Sequence, residues 1–253
     1  MRTDRIKLCE LSKSNDICEF SPVIQADTKD ENDRYLALQS EEIITSFKIK
    51  APMLALSCST RVTSSAIWGH YADNSKGVCL AFDFPVTDFG EQDGIVTGKI
   101  VGDDTILFHK VLYEDARLVI LARECRGNDE AVYRKIMSAI SRKSTDWSYE
   151  KECRLIFLPE KTTSNVAVEN GMYFALGLRK YLQGIIMGPR CDISNFYFKT
   201  LVKEIPQKKE SNHLAEKLYN PKAVVRASLD SLSLRISVLH FEDYDYSTIT
   251  ADR

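Results

Sequence analysis

Two short stretches gather side chains able to do chemistry. The first is WGHYADNSKG, residues 68–77, which sets Trp68, His70, Tyr71, Asp73 and Lys76 ahead of an apolar run. Read as a helix, it stacks Ile67 near Tyr71 and Trp68 near Ala72, an apolar face for packing on a sheet. His70 then points away from the middle of that face. Asp73, three residues on, is spaced to orient an imidazole or to accept its hydrogen bond. The DNSKG turn collects Lys76 and several backbone N–H groups, which suits an anionic ligand. The plain alternative is a capped helix with a polar turn.

The second stretch is DWSYEKECRLIF, residues 146–157. Strand alternation sends Glu150, Glu152 and Arg154 to one face and Lys151, Cys153 and Leu155 to the other. Two carboxylates beside a long apolar strand are costly unless they are solvated, paired or used. Paired, Glu152 and Arg154 make a salt bridge at a sheet rim. Used, one carboxylate stabilises a cationic centre and hydrogen-bonds a sugar hydroxyl, while its neighbour two residues earlier polarises an acceptor. The spacing leaves both open.

Other chemistries find little support. His109 sits in the apolar run ILFHKVLY and reads as a hydrogen-bonded core residue, while His213 and His240 have no carboxylate or cysteine at a metal spacing. With no H-x-x-x-H, G-x-S-x-G, Walker loop or G-x-G-x-x-G, no metal is expected, and serine hydrolases and dinucleotide-fold enzymes lose ground. The seven cysteines are scattered and form no C-x-x-C pair, as in a reduced, intracellular and hence cytoplasmic protein. A net charge of −2, from 34 basic and 36 acidic residues, supplies no global field toward nucleic acid or membrane. No apolar stretch is long enough to span a bilayer.

The elements that must hold these residues follow from periodicity. An amphipathic helix is expected within residues 29–50, ended by Pro52, and MLALSCS reads as a buried strand. Thr63 or Ser64 caps the helix SAIWGHYAD, and Asn74 and Gly77 stop it. GVCLAFDF is the next strand, GEQDG a loop and ILFHKVLYE another strand. Residues 116–144 read as mostly helical, interrupted near Gly127-Asn128, and YEKECRLIFLP as a strand entered through Trp147. Later strands are expected at MYFAL, GIIMG, AVVRASL and LSLRISVL, with helices near residues 193–205 and 213–219. Strands and helices interleave without a strict βαβ rhythm. The expectation is a single α+β domain over residues 1–253, with a mainly antiparallel, even split, sheet flanked by helices.

Taken together, the motifs resemble a bacterial and phage family, domain of unknown function 2971. The resemblance rests on SKSNDICEF near the N-terminus, on LALSCS, on WGHYADNSKGVCLAFD against a W-x-H-Y-A-D signature, on KVLYE, on WSYEKECRLIF against Y-E-x-E-x-R-L, and on LQGIIMGPRCD. It runs from about residue 11 to residue 195 in family order. One departure is Ile17, which stands where the family usually has proline. The resemblance implies a shared fold and site, in proteins associated with bacterial defence or mobile elements.

A more distant similarity, to ADP-ribosyltransferases, implies a reaction. In those enzymes a split antiparallel sheet holds NAD, an early polar residue or His grips the nicotinamide ribose, and an aromatic ring stacks on the nicotinamide. A late Glu at the start of a strand then stabilises an oxocarbenium-like ribose. Ser57 or His70, Tyr71 or Tyr113, and Glu152 occur here in that order, and Glu150-Lys151-Glu152 has the Glu-x-Glu form of one branch. Glu152 would be the stabiliser and Glu150 the acceptor-side partner. Trp68 and Tyr71 would stack on bases, and Lys76 and Arg154 would face phosphates. NAD would be the substrate, with a protein or nucleic-acid acceptor. Two other classes stay open. One is a non-catalytic nucleotide- or nucleic-acid-binding module, using Trp68 and Tyr71 as platforms and Lys76, Arg61 and Arg154 on phosphates. The other is an interaction protein whose motifs lock the fold.

Overall fold

β-branched and aromatic residues crowd the short apolar runs, and the chain accordingly builds mostly strands. The computed structural model describes residues 5–14, 16, 19, 21–26, 31–32, 34–35, 37–38, 42, 53–125, 129–157, 165–192, 224–229 and 236–238. The strands are β1 (Arg5–Lys7), β2 (Cys9–Glu10), β3 (Val23–Gln25), β4 (Leu54–Ser59), β5 (Val78–Phe82), β6 (Val86–Gln92), β7 (Ile95–Ile100), β8 (Asp103–Lys110) and β9 (Leu112–Tyr113). They continue as β10 (Val119–Leu121), β11 (Arg142–Lys143), β12 (Glu152–Phe157), β13 (Val166–Glu169), β14 (Met172–Leu176), β15 (Leu182–Met187), β16 (Val224–Leu229) and β17 (Ile236–Val238). Two helices matter below, α1 (Ser65–Tyr71) and α2 (Asp129–Ala139). None of the described helices is long and apolar enough to cross a membrane. The chain divides into two compact units, the first holding residues 1–5, 61–84 and 177–253, the second residues 6–60 and 85–176.

The second unit is built on an antiparallel sheet of order β2-β4-β12-β8-β7-β6. Strand β12 lies in its middle, with Arg154 opposite Ser57 on β4 and opposite His109 on β8. Helix α2 repeats apolar residues at helical spacing (Val132, Ile136, Ala139, with Ile140 just beyond its end), and these pack with Ala55, Ile120 and Ile156 into one core. Ile136, Ile140 and Ile156 are fully buried, each burial contributing roughly 1.5–3 kcal/mol. Two short parallel pairs, β9–β11 and β3–β10, are made by segments that lie in the chain between strands of this sheet, and β13 and β14 form a hairpin.

The first unit carries the sheet β17-β16-β15-β5, with β15 antiparallel to β5 and parallel to β16. Ser64 caps α1, its hydroxyl accepting the Ile67 N–H at 3.4 Å. Trp68 is the buried residue of that helix, packed against Val62, Ala72, Cys79 and Ile186.

Several expectations hold: MLALSCS, GVCLAFDF, MYFAL, GIIMG and AVVRASL contain β4, β5, β14, β15 and β16, and the described residues between 31 and 42 are mostly helical. Others change. GEQDG is no open loop. Gly90, Glu91 and Gln92 end β6, and Asp93-Gly94 form a tight hairpin turn at φ 48° and 79°, the Asp-Gly signature of a turn matched to strand twist. Within residues 116–144 a 3-10 turn (Ala122–Cys125) and α2 stand on either side of Gly127-Asn128, but the two ends of the stretch are the strands β10 and β11. The stretch before Glu152 is a 3-10 helix, Thr145–Glu150, not strand. The helices expected near 193–205 and 213–219 lie outside the described residues.

Candidate active site

In the second unit, the 3-10 turn and the central strand meet at a reversal of the backbone. Ser144 caps Thr145–Glu150, its hydroxyl accepting the Asp146 N–H, and Lys151 ends the turn in the left-handed region at φ 46°. That conformation, unfavourable for a residue with a Cβ, starts β12 at Glu152. Strand alternation therefore does not govern Glu150. Yet Glu150 and Glu152 reach the same cation: Lys143 Nζ lies 2.7 Å from Glu150 Oε2 and 3.0 Å from Glu152 Oε2. Lys143 also sits 5.1 Å from the centre of the Trp147 ring.

Arg154, two residues along β12, is 1% exposed and is the centre of the cluster. Its Nε and Nη2 bind Glu152 Oε1 and Oε2 at 2.8 and 3.0 Å, a bidentate pair. Another nitrogen donates to the Ile140 carbonyl just past the end of α2, where the helix dipole favours a cation. Its remaining partner is Glu19, whose other oxygen contacts Ser14. The N-terminal SKSNDICEF motif and the WSYEKECRLIF motif thus meet on one guanidinium. The expected salt bridge exists, but in the middle of the sheet and not at its rim.

Burial works against the charge of Glu152, but Arg154, Lys143 and a hydrogen bond from Ser57 outweigh it and hold its carboxyl down at about 2. Lys143 is likewise pulled up, burial being overcome by Glu152 and Glu150. For Glu19 burial wins over Arg154 and Ser14, and its carboxyl is raised. Tyr113 Oη accepts the Glu152 N–H at 2.7 Å, and burial pushes its phenol up to about 12. His109 Nδ1 lies 2.7 Å from Ser141 Oγ. Burial, with Arg154 nearby, lowers its imidazole to about 4, so it is neutral, as a core histidine should be. Among the described residues no three His, Cys, Asp or Glu are grouped to hold a metal ion.

Of the residues singled out by sequence, the structure brings together Ser57, Tyr113, Glu150, Glu152 and Arg154. Arg154 is spent on carboxylates and not turned toward a phosphate. Arg61, Trp68, His70, Tyr71 and Lys76 belong to the first unit. There Trp68, expected as a stacking platform, is a core residue at 3% exposure, its indole N–H donating to the Val62 carbonyl at 2.7 Å. Tyr71, placed by spacing on the packed face, is 56% exposed instead, and His70 and Lys76 are exposed. The turn after α1 runs Asp73, Asn74 and Ser75 through successive left-handed conformations at φ 45°, 53° and 71°. Its N–H groups are not turned to a ligand. Asn74, Ser75 and Gly77 donate to Gly69, Trp68 and Ala72 carbonyls, and Lys76 to Asp73. Gly188 closes on this turn, donating to the Gly77 carbonyl at 2.9 Å, and a Cβ there would collide with the Ser75 carbonyl oxygen.

Sequence reasoning missed Lys143 and gave Glu19 no role. Lys143 follows a helix end in ISRKS, and no local pattern marks a lysine destined for burial. Glu19 was visible only as part of the N-terminal motif.

No curated protein and no solved structure matches the chain. A family model described as a protein of unknown function (DUF2971) matches residues 67–155, a narrower span than 11–195. That span takes in the turn after α1, Tyr113, Lys143 and the Glu150–Arg154 motif, and over it the chain is similar to the DUF2971 family.

Proposed function

We propose that the chain breaks the nicotinamide–ribose bond of NAD and passes ADP-ribose to a protein or nucleic-acid acceptor, as a toxin-like enzyme of bacterial or phage conflict. The observation that carries this reading is the Glu152 carboxylate at the first residue of a central strand, bonded by the exposed Ser57 and held ionised, with the Tyr113 hydroxyl fixing the backbone N–H of the same residue. As nicotinamide leaves with the electron pair of the bond, positive charge develops on the sugar, and a fixed anion favours that transition state. Glu152, held ionised, acts by its charge and not as a proton donor. Glu19, Glu150 and Glu152 set against Lys143 and Arg154 leave the cluster negative when all are ionised. Glu150, on the same ammonium, is the acceptor-side carboxylate. Ser57 is exposed, so it links Glu152 to the surface.

Nicotinamide release from NAD by the purified chain tests this. The wild type should release it, and Ser57→Ala should slow release about tenfold, a loss of ~1.4 kcal/mol of transition-state stabilisation, with little change in melting temperature. Glu152→Gln should abolish release, but it also disturbs Arg154, which makes Ser57→Ala the cleaner variant. Absence of release with protein and nucleic-acid acceptors present, or full activity in Ser57→Ala, rejects the reading.

The burial of Glu152 and Arg154 favours a second reading, in which the cluster locks the second unit and does no chemistry. Under it, replacing Glu19, Glu152 and Arg154 together by apolar residues of similar volume, with Lys143 left on Glu150, recovers the stability that any single change loses, and no variant affects NAD.

A further inference from the structure

Strands β4 and β12 set two cysteines side by side. Cys58 and Cys153 are register partners, and residues directly opposite in an antiparallel pair project from the same face. That face is the reverse of the one carrying Ser57, Glu152 and Arg154, because side chains alternate along each strand. Both cysteines are half-buried, and neither is in a disulfide. Among the described residues no other two cysteines are register partners.

The ladder fixes how far apart they stand. The Thr60 N–H donates to the Lys151 carbonyl at 3.0 Å, and hydrogen-bonded pairs recur at every second residue of an antiparallel ladder. Cys58 and Cys153, two residues further in, are therefore a hydrogen-bonded pair, with Cα atoms about 5.5 Å apart. A disulfide spans ~4.4–6.8 Å between Cα atoms, so a bridge can close without unpairing the strands. It prefers Cβ atoms ~3.8 Å apart, whereas opposite residues in a sheet hold them at ~4.5–5.5 Å, hydrogen-bonded pairs at the wider end. The closed bridge is strained, and strained disulfides are the readily reduced ones.

We infer that Cys58 and Cys153 are a reversible redox pair, closed to a cross-strand disulfide by a peroxide and reopened by a small thiol. One thiolate sulfur attacks a peroxide oxygen, the O–O bond breaks, water leaves and a sulfenic acid remains. The second sulfur attacks the first, the S–S bond forms and a second water leaves. Two electrons pass from sulfur to the peroxide, and both thiol protons end in water. Reopening consumes two small thiols, which depart as their own disulfide. Burial and the charge of Glu152 hold the Cys153 thiol up at about 11, so its thiolate is scarce at neutral pH and closure speeds up as pH rises. The inference does not rest on NAD chemistry and stands or falls apart from it.

Peptide mapping tests it. The full chain, reduced and freed of reductant, is treated with hydrogen peroxide, alkylated under denaturing conditions, digested and analysed by mass spectrometry. The expected product is a linked Cys58–Cys153 peptide pair, absent in Cys58→Ser and in Cys153→Ser, and lost when reduced glutathione precedes alkylation. Each variant exchanges one sulfur for oxygen at a half-buried position, and the wild-type map decides by itself if either fails to fold. Both cysteines recovered alkylated after peroxide, or either one linked to a different cysteine or recovered as sulfinic acid, overturns the inference. So does a bridge that reduced glutathione leaves closed.

Discussion

The two motifs that look most chemical in the sequence treat their polar groups in opposite ways. Around α1 the backbone turns inward, its N–H groups capping the helix that precedes them, while His70, Tyr71 and Lys76 stay outside. Around β12 the side chains turn inward, and Glu150, Glu152 and Arg154 meet Lys143 and Glu19 in the interior. In the first region His70, Tyr71 and Lys76 are exposed and stand outside the core. In the second the side chains are coupled to stability, so any chemistry they do is tied to the fold.

The largest expected effect lies in the second region. Arg154→Ala leaves Glu19 buried without its cation and Glu152 with Lys143 alone, and should cost ~3–5 kcal/mol, visible as a lower denaturant midpoint. A loss below about 1 kcal/mol would mean that solvent reaches the cluster.

Acid should produce the next largest change. His109 is neutral in the fold, with its imidazole lowered to about 4, against about 6.5 in an unfolded chain. Between those values the unfolded state binds more protons, so stability falls as pH drops through that window. The loss is on the order of 3 kcal/mol. Glu152 adds a second stage: its stabilising charge is complete above the unfolded value of about 4.3 and is lost as pH falls toward about 2. Urea melts from pH 7 to pH 4 should show the first stage in the wild type and a flatter profile in His109→Gln. A wild-type profile already flat from pH 7 to pH 4 would contradict the burial of the imidazole.

In the first region, Gly188→Ala should cost roughly 1–3 kcal/mol by overpacking, since the colliding atom is backbone. His70→Ala and Tyr71→Ala should stay within about 0.5 kcal/mol by thermal melting. A larger loss in either would erase the contrast between the two motifs.

Local patterns made part of this readable. The Ser64 cap, the apolar runs of β4, β5, β14 and β15 and the Glu152–Arg154 partnership all arise within a few residues of one another. The hairpin at Asp93-Gly94 is readable too, since Asp-Gly between strands is a turn signal, but the polar Gly90-Glu91-Gln92 flank reads as loop although it pairs as strand. Three features were beyond local reading. The left-handed Lys151 breaks strand alternation without a glycine to announce it. Tyr71 is exposed because Trp68 alone fills the packed side of a short helix. Lys143 and Glu19 become buried ions only through partners brought from distant segments, and a sequence window holds neither the burial nor the partner.

The contact between Glu19 and Arg154 also sets a timetable for synthesis. A ribosome adding ~5–20 residues per second exposes Glu19 long before Arg154 exists, by on the order of ten seconds. Through that interval β4 lacks β12, its neighbour toward the middle of the sheet, and the N-terminal segment lacks its guanidinium. The second unit is thus completed late by its central strand, which brings Ile156 to a core whose other buried members all precede it in the chain.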